Sequence, residues 1–186
     1  AAVNEIELFA AQIYVAGASR AYGTAGTTPF STNTGEAAQM KKILDDNGAP
    51  LTGRSLIIDT TTGAQLRTLT QLTKANEAGT TMTLRDGEIL NLSGFSIKES
   101  AQIQSQAVGT ASGATTDNAG YAVGTTSLTV AAAGTGTILA GDVVTFAGDT
   151  NKYVVASGVA SAASGGTLVL QAPGLRKAMS AATKAI

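Results

Sequence analysis

Apolar positions recur along this chain in two ways, and the change of period divides it. In the first hundred residues they fall three and four apart; beyond residue 124 they alternate within short runs separated by glycine. Asn4-Glu5-Ile6-Glu7 has the form of a capping box and predicts a helix start. Its expected core stripe is Val3, Ile6, Phe9, Ala10, Ile13, Ala16, Gly17 and Arg20. Leu8 and Val15 carry apolar surface to a second face, to be covered by the same domain or by a neighbouring subunit. Residues 22–33, YGTAGTTPFSTN, have no periodicity and read as a surface loop. Thr34 is placed to cap a second helix that turns Ala37, Met40, Ile43 and Leu44 inward and closes at Asn47-Gly48 before Pro50. Lys41 and Lys42, followed by Asp45 and Asp46, read as a solvated face rather than a nucleic-acid grip.

The clearest succession is Arg54 to Ser100. Ser55 to Asp59 predicts a strand buried on both faces. Thr60 to Thr62 offer cap hydroxyls to a helix with Ala64, Leu66, Leu69 and Leu72 inward and Arg67 and Lys74 outward, leaving near Asn76 and Gly79. Met82 and Leu84 alternate with threonine, Arg85-Asp86-Gly87-Glu88 makes a turn, and Ile89 to Ile97 gives one or two strands broken at Gly94. Residues 102–124 are polar and read as a linker or long mobile loop. Strands are then expected at 127–131, 142–147, 152–156 and 167–170, with turns at 134–136, 148–151 and 164–166. Val143 and Thr145 should face one way, Val144 and Phe146 the other. The run from Leu175 to Ile186 looks helical, and with no initiating Met the chain reads as an interior piece of a longer protein.

Composition narrows the chemistry. The chain has 186 residues, 12 basic and 13 acidic side chains, a net charge of -1, and neither cysteine nor histidine. Disulfides, thiolate metal sites, thiol nucleophiles and imidazole general bases are excluded, and near-neutrality argues against a protein built to grip a duplex. No apolar run is long enough to cross a bilayer, and residues 1–20 lack the form of a signal peptide. With four Phe, four Tyr and no Trp, burial must rely on small side chains, backbone pairing and neighbouring subunits. Asp86 and Glu88 around Gly87 have the outline of an acid-base pair, but Asp-Gly is ordinary turn chemistry. Asp142, Asp149 and Asn151 lack the spacing of a calcium loop, and Gly134-Thr135-Gly136 lacks the glycine pattern of a dinucleotide site. Asn91-Leu92-Ser93 matches a glycosylation sequon only formally. No catalytic, cofactor or metal residue is assigned, and the chain does not read as an enzyme.

The words RSLIID, KANEAGT, TLRDGEI and LSGFSIKES, in this order around the helix Ala64 to Leu72, resemble the middle of the major capsid protein of tailed bacteriophages, in the podophage coat branch of the Hong Kong ninety-seven fold. GTAGTTPF and LDDNGAP before them are similar too. The resemblance implies an α+β fold: a capsid A-domain-like core of helices on a mixed sheet, with a small inserted antiparallel β-barrel or sheet module. ILAGDVVTFAG, KYVV and TLVL look like that insertion. The corresponding domains are 1–101 for the core, 102–174 for the insertion with its leading loop, and 175–186 for the start of a helix returning to the core. The N-terminal arm, extended hairpin and spine helix of such subunits are not recognisable in this stretch. The implied function is structural: a coat subunit assembling in the host cytoplasm into an icosahedral virion shell around DNA. Implied partners are other coat copies, scaffolding and portal proteins, with at most weak nonspecific DNA contact and no membrane. Arg85, Asp86, Glu88, Lys98, Glu99 and Asp149 are its candidate subunit contacts. A reading of another class is a secreted or surface β-rich module that binds glycan or protein, with Tyr121, Phe146 and Tyr153 as stacking platforms.

Overall fold

The computed structural model describes residues 2–24, 27–74, 91–103, 106–182 and 185–186; side-chain positions are described for these except at residues 2 and 14–16. The fold is α+β, in two compact units: Tyr22–Gln104, and Ala1–Ala21 together with Ser105–Ile186. Residues 1–21 and 175–186, expected with the α+β core, group with the β-rich unit. The N-terminal helix α1 (Ala2–Gly17) therefore belongs to the second unit, and it starts two residues before Asn4, which lies inside its first turn rather than capping it.

Among the described residues, the unit Tyr22–Gln104 holds a mixed three-stranded sheet with helices. It contains α2 (Gly35–Asp46), β1 (Ser55–Ile58), α3 (Thr60–Thr68), the single turn α4 (Thr70–Thr73), β2 (Asn91–Leu92) and β3 (Phe95–Glu99), with strand order β1-β3-β2. β1 runs parallel to β3, Leu56 opposite Ile97, and β2 and β3 form an antiparallel hairpin. The hairpin turns on Ser93 and Gly94, both at positive φ as a two-residue primed turn requires. Phe30, Ala37, Ile58, Leu66 and Leu69 form the core, with Met40, Leu56, Leu72, Leu92 and Ile97 packed against it. β1 is not buried on both faces. Among the described residues its one strand neighbour is β3, and Ser55 and Ile57 lie exposed on one side of the sheet.

Local chemistry explains where these elements start and stop. Asp59, not a threonine, caps α3: its extended backbone aims the carboxylate at the Thr62 amide, 3.0 Å away. A carboxylate at the true cap position accepts more strongly than hydroxyls already within the first turn. The expected single helix breaks at Leu69, whose backbone is extended; Leu66 and Leu69 are buried, and Ala64, expected inward, is exposed. Thr34 makes no side-chain cap on α2; Asn33 Oδ1 accepts from the Gly35 amide instead. Glu36 reaches back to the Phe30 amide at 2.6 Å, which holds Phe30 in the core, 1% exposed and at φ 57. The surface loop 22–33 thus ends in a buried anchor. At the other end of α2 the Ala49 amide bonds the Leu44 carbonyl and the Gly48 amide bonds that of Asp45, the Schellman pattern the Asn-Gly pair predicts.

In the β-rich unit, β4 (Ser127–Val130), β5 (Val143–Val144), β6 (Tyr153–Ser157) and β7 (Gly166–Leu170) form an antiparallel sheet of order β4-β7-β6-β5. Val144 and Phe146 are buried and Val143 and Thr145 exposed, the alternation the sequence predicts. Further backbone bonds close the sheet on itself. The Ala147 amide, just past β5, donates to Ala185; Ala185 bridges Thr115; and Thr116 bridges Val130 of β4. The result is a small barrel around Leu128, Val130, Phe146, Val155, Leu168, Leu170 and Leu175. Two expectations fall here. Residues 106–124 are no linker: they pair with residues 129–137, 175 and 179 through main-chain bonds of 2.7–3.0 Å. The described residues among 175–186 are not helical: Met179 exchanges backbone bonds with Tyr121, and the Ile186 amide bonds Ala114. Backbone pairing needs no side-chain period, so small polar residues join a barrel without advertising it.

Candidate interaction surfaces

α1 runs alongside β6 but presents its more apolar stripe to solvent. Val3, Ile6, Phe9 and Ile13 are 66, 69, 65 and 53% exposed. At about 100° per residue these four project to one side of the helix, roughly opposite the half-buried Leu8 and Ala11. The stripe expected in the core is therefore outside, and the weaker face is the covered one. Glu5 and Glu7 flank it, one on each side, and no basic residue lies in the last turn. On the other unit Ile57 of β1, 53% exposed, stands in register with the exposed Lys98 of β3.

The candidate subunit contacts fall in different places. Arg85, Asp86 and Glu88 lie outside the described residues. Lys98 is exposed on the open side of the sheet. Glu99, on the same strand, forms an ion pair with Arg67 of α3 at 2.7 Å. Asp149 is half-buried and braces its own turn: Oδ1 accepts from the Asn151 amide at 2.9 Å and from Asn151 Nδ2 at 2.7 Å, while Oδ2 accepts from the Tyr153 hydroxyl at 2.6 Å. Burial works against its charged form, but the bonds from Tyr153 and Asn151 outweigh that, and with Lys177 nearby they hold the carboxyl below its ordinary range. Burial and Asp149 push the Tyr153 phenol up. The same hydroxyl accepts from the Arg176 amide at 3.1 Å, and the Arg176 guanidinium lies 5.0 Å above the Tyr153 ring. Arg20, beyond the end of α1, is held below its usual basicity by burial and by Arg176.

The aromatic side chains offered as glycan platforms are used internally. Phe146 and Tyr153 sit in the barrel core with ring centroids 5.6 Å apart, and the half-buried Tyr121 donates to Asp117 at 2.7 Å. Asp142, considered as a cation ligand, accepts from the Gly109 and Leu139 amides and ties the segment after residue 105 to the barrel. A shallow depression beside α2 is lined by Ala38, Lys41, Lys42, Asp45, Asp46 and Ser93, but its charges are already matched as Lys41–Asp45, Lys42–Asp46 and Arg54–Asp45. Among the described residues no three His, Cys, Asp or Glu side chains gather as a metal site would need, and no helix is long and apolar enough to cross a membrane. Sequence periodicity found the α1 stripe and misjudged its direction; the second apolar face at Leu8 was the signal that two orientations compete.

No protein-family model matches the chain, and no curated protein matches it. Among solved structures it is similar to a chain from Mycobacterium phage Che8, with a TM-score of 0.49 and 17% identity over 92% of this chain. The alignment spans 56% of that neighbour, so this chain corresponds to little more than half its length.

Proposed function

We propose that this chain is part of the major capsid subunit of a tailed bacteriophage and works by self-association into an icosahedral shell around the DNA genome. The observation that carries the reading is the apolar surface left open along α1: Val3, Ile6, Phe9 and Ile13. Contiguous exposed apolar side chains on a convex helix face suit a contact with another macromolecule. The resemblance of Arg54 to Ser100 to a coat A domain adds support: RSLIID and LSGFSIKES supply β1 and the β2–β3 hairpin on either side of α3, and in this reading the barrel is the inserted module. Shell building needs no reactive side chain, and catalysis forms no part of the proposal. Many modest contacts repeated by symmetry supply the stability instead. Other coat copies are the main partners, with scaffolding and portal proteins during assembly in the host cytoplasm. A net charge of -1 limits any contact with packaged DNA to weak, nonspecific binding. Electron microscopy of the longest native form of the chain tests the proposal. Closed particles of uniform diameter are expected, and a protein that stays monomeric at every concentration would overturn it.

A further inference from the structure

We propose that the outward stripe of α1 docks antiparallel against the same stripe of a second copy of this chain. The proposal rests on the self-association reading for the identity of the partner, and on three observations of its own. The first is geometric: α1 is held by its Leu8 and Ala11 side, so docking along Val3, Ile6, Phe9 and Ile13 requires nothing to move. The second is area. Four side chains more than half exposed present roughly 400 Å2 of apolar surface, the scale of a contact patch rather than of scattered residues. Pairing two copies buries about twice that, below the ~1,200 Å2 of a self-standing complex, so the pair is weak alone and gains strength when other contacts hold copies together. The third is charge. Glu5 and Glu7 make the first half of the helix acidic, while Arg20 follows its end. Antiparallel pairing brings each acidic end toward the other copy's basic end and opposes the helix dipoles; parallel pairing would stack Glu5 and Glu7 on themselves.

The chain has no cysteine, so single introduced thiols report the contact directly. Phe9 lies near the middle of the stripe, where an antiparallel pair brings equivalent positions together; Val3 lies at its end, opposite Ile13 of the other copy. Asn4 is exposed but on the other side of the helix. Under mild oxidation Phe9→Cys should form disulfide-linked dimers about tenfold faster than Asn4→Cys, the ratio set by local concentration at the contact. Adding Ile6→Asp to Phe9→Cys should remove that advantage and leave far-UV circular dichroism unchanged, because Ile6 contributes to no core. Equal rates for Phe9→Cys and Asn4→Cys, or a rate indifferent to Ile6→Asp, would overturn the docking; rapid linking of Val3→Cys to itself would overturn its antiparallel sense. The two readings fail separately. Closed particles from a chain carrying Ile6→Asp would remove the α1 contact and leave the coat proposal standing. A stripe-specific cross-link in a protein that never forms particles would do the reverse.

Discussion

Arg54 shows how one side chain can join two elements. It is 7% exposed, and its guanidinium donates to the Pro50 carbonyl at 2.8 Å, the Ala49 carbonyl at 2.9 Å and Asp45 at 2.7 Å, so the end of α2 is tied to the start of β1. Arg54→Met keeps the stem and loses the fork. The two carbonyl bonds alone predict a loss of about 1–3 kcal/mol, measurable as a lower urea midpoint at unchanged slope. Bonds from Lys41 and then Arg54 hold Asp45 below its ordinary range. Asp149 and Tyr153 set a pH window in the other unit. Asp149 is depressed, so its contribution is present above the ordinary carboxylate value of about 4 and lost as pH falls through the lower folded value. Tyr153 is raised, so its contribution is full below about pH 10 and lost as pH climbs through the higher folded value. Thermal melts across pH should show both arms. Asp149→Asn should flatten the acid arm and Tyr153→Phe the alkaline one. Little of this was legible in the sequence, because Arg54 and Asp149 find partners through the path of the backbone, which no local spacing records.

Elements fare better than residues where their signals are local. The Asn47-Gly48 stop, the hairpin at Gly94 and the inward-outward alternation from Val143 to Phe146 were all readable, because each depends on neighbours in the chain. The α3 cap was misplaced by one residue, and Asp59→Ala tests the corrected position: about 1 kcal/mol should be lost, whereas Thr61→Ala should cost less, on equilibrium unfolding of the two variants. Gly158 is a close-approach position that the sequence did not disclose. A Cβ there would fall 1.9 Å from the Ile138 carbonyl oxygen, between segments joined by the Ile138–Val159 bridge. Gly158→Ala must push backbone apart, and an overpacking cost of about 1–3 kcal/mol is expected as a depressed melting temperature. A Gly17→Ala control, with open space around the added methyl, should leave it near the wild-type value.

At the scale of the whole molecule, the β-rich unit depends on residues far apart in the chain. The closing seam uses Ala185 and Ile186, which bond to Ala147 and Ala114 on either side. Deleting those two residues opens the hydrogen-bonded circuit and also removes Ile186, which packs against the barrel core. Amide exchange at Ala147 should rise sharply, while exchange at Leu168, paired with Leu128 in β4, should change much less. Equal acceleration at both sites would mean that the ring melts as one, without a separable seam. The units also hold distinct cores, one around Leu66 and Phe30 and the other around Leu128 and Phe146.

By itself the sequence determined what depends on near neighbours: the α+β class, the β1–α3 succession, the turn positions, and a composition without thiol or imidazole chemistry. Turn preference and inward-outward alternation act over a few residues, so a linear string carries them. Tertiary structure alone decided which face of α1 is covered, that residues 106–124 and the described residues among 175–186 complete a barrel, and that Asp149 serves its own turn. Those outcomes turn on which backbone amides and carbonyls meet across long stretches of chain, and small Ala, Gly, Ser and Thr side chains leave almost no pattern to announce such meetings.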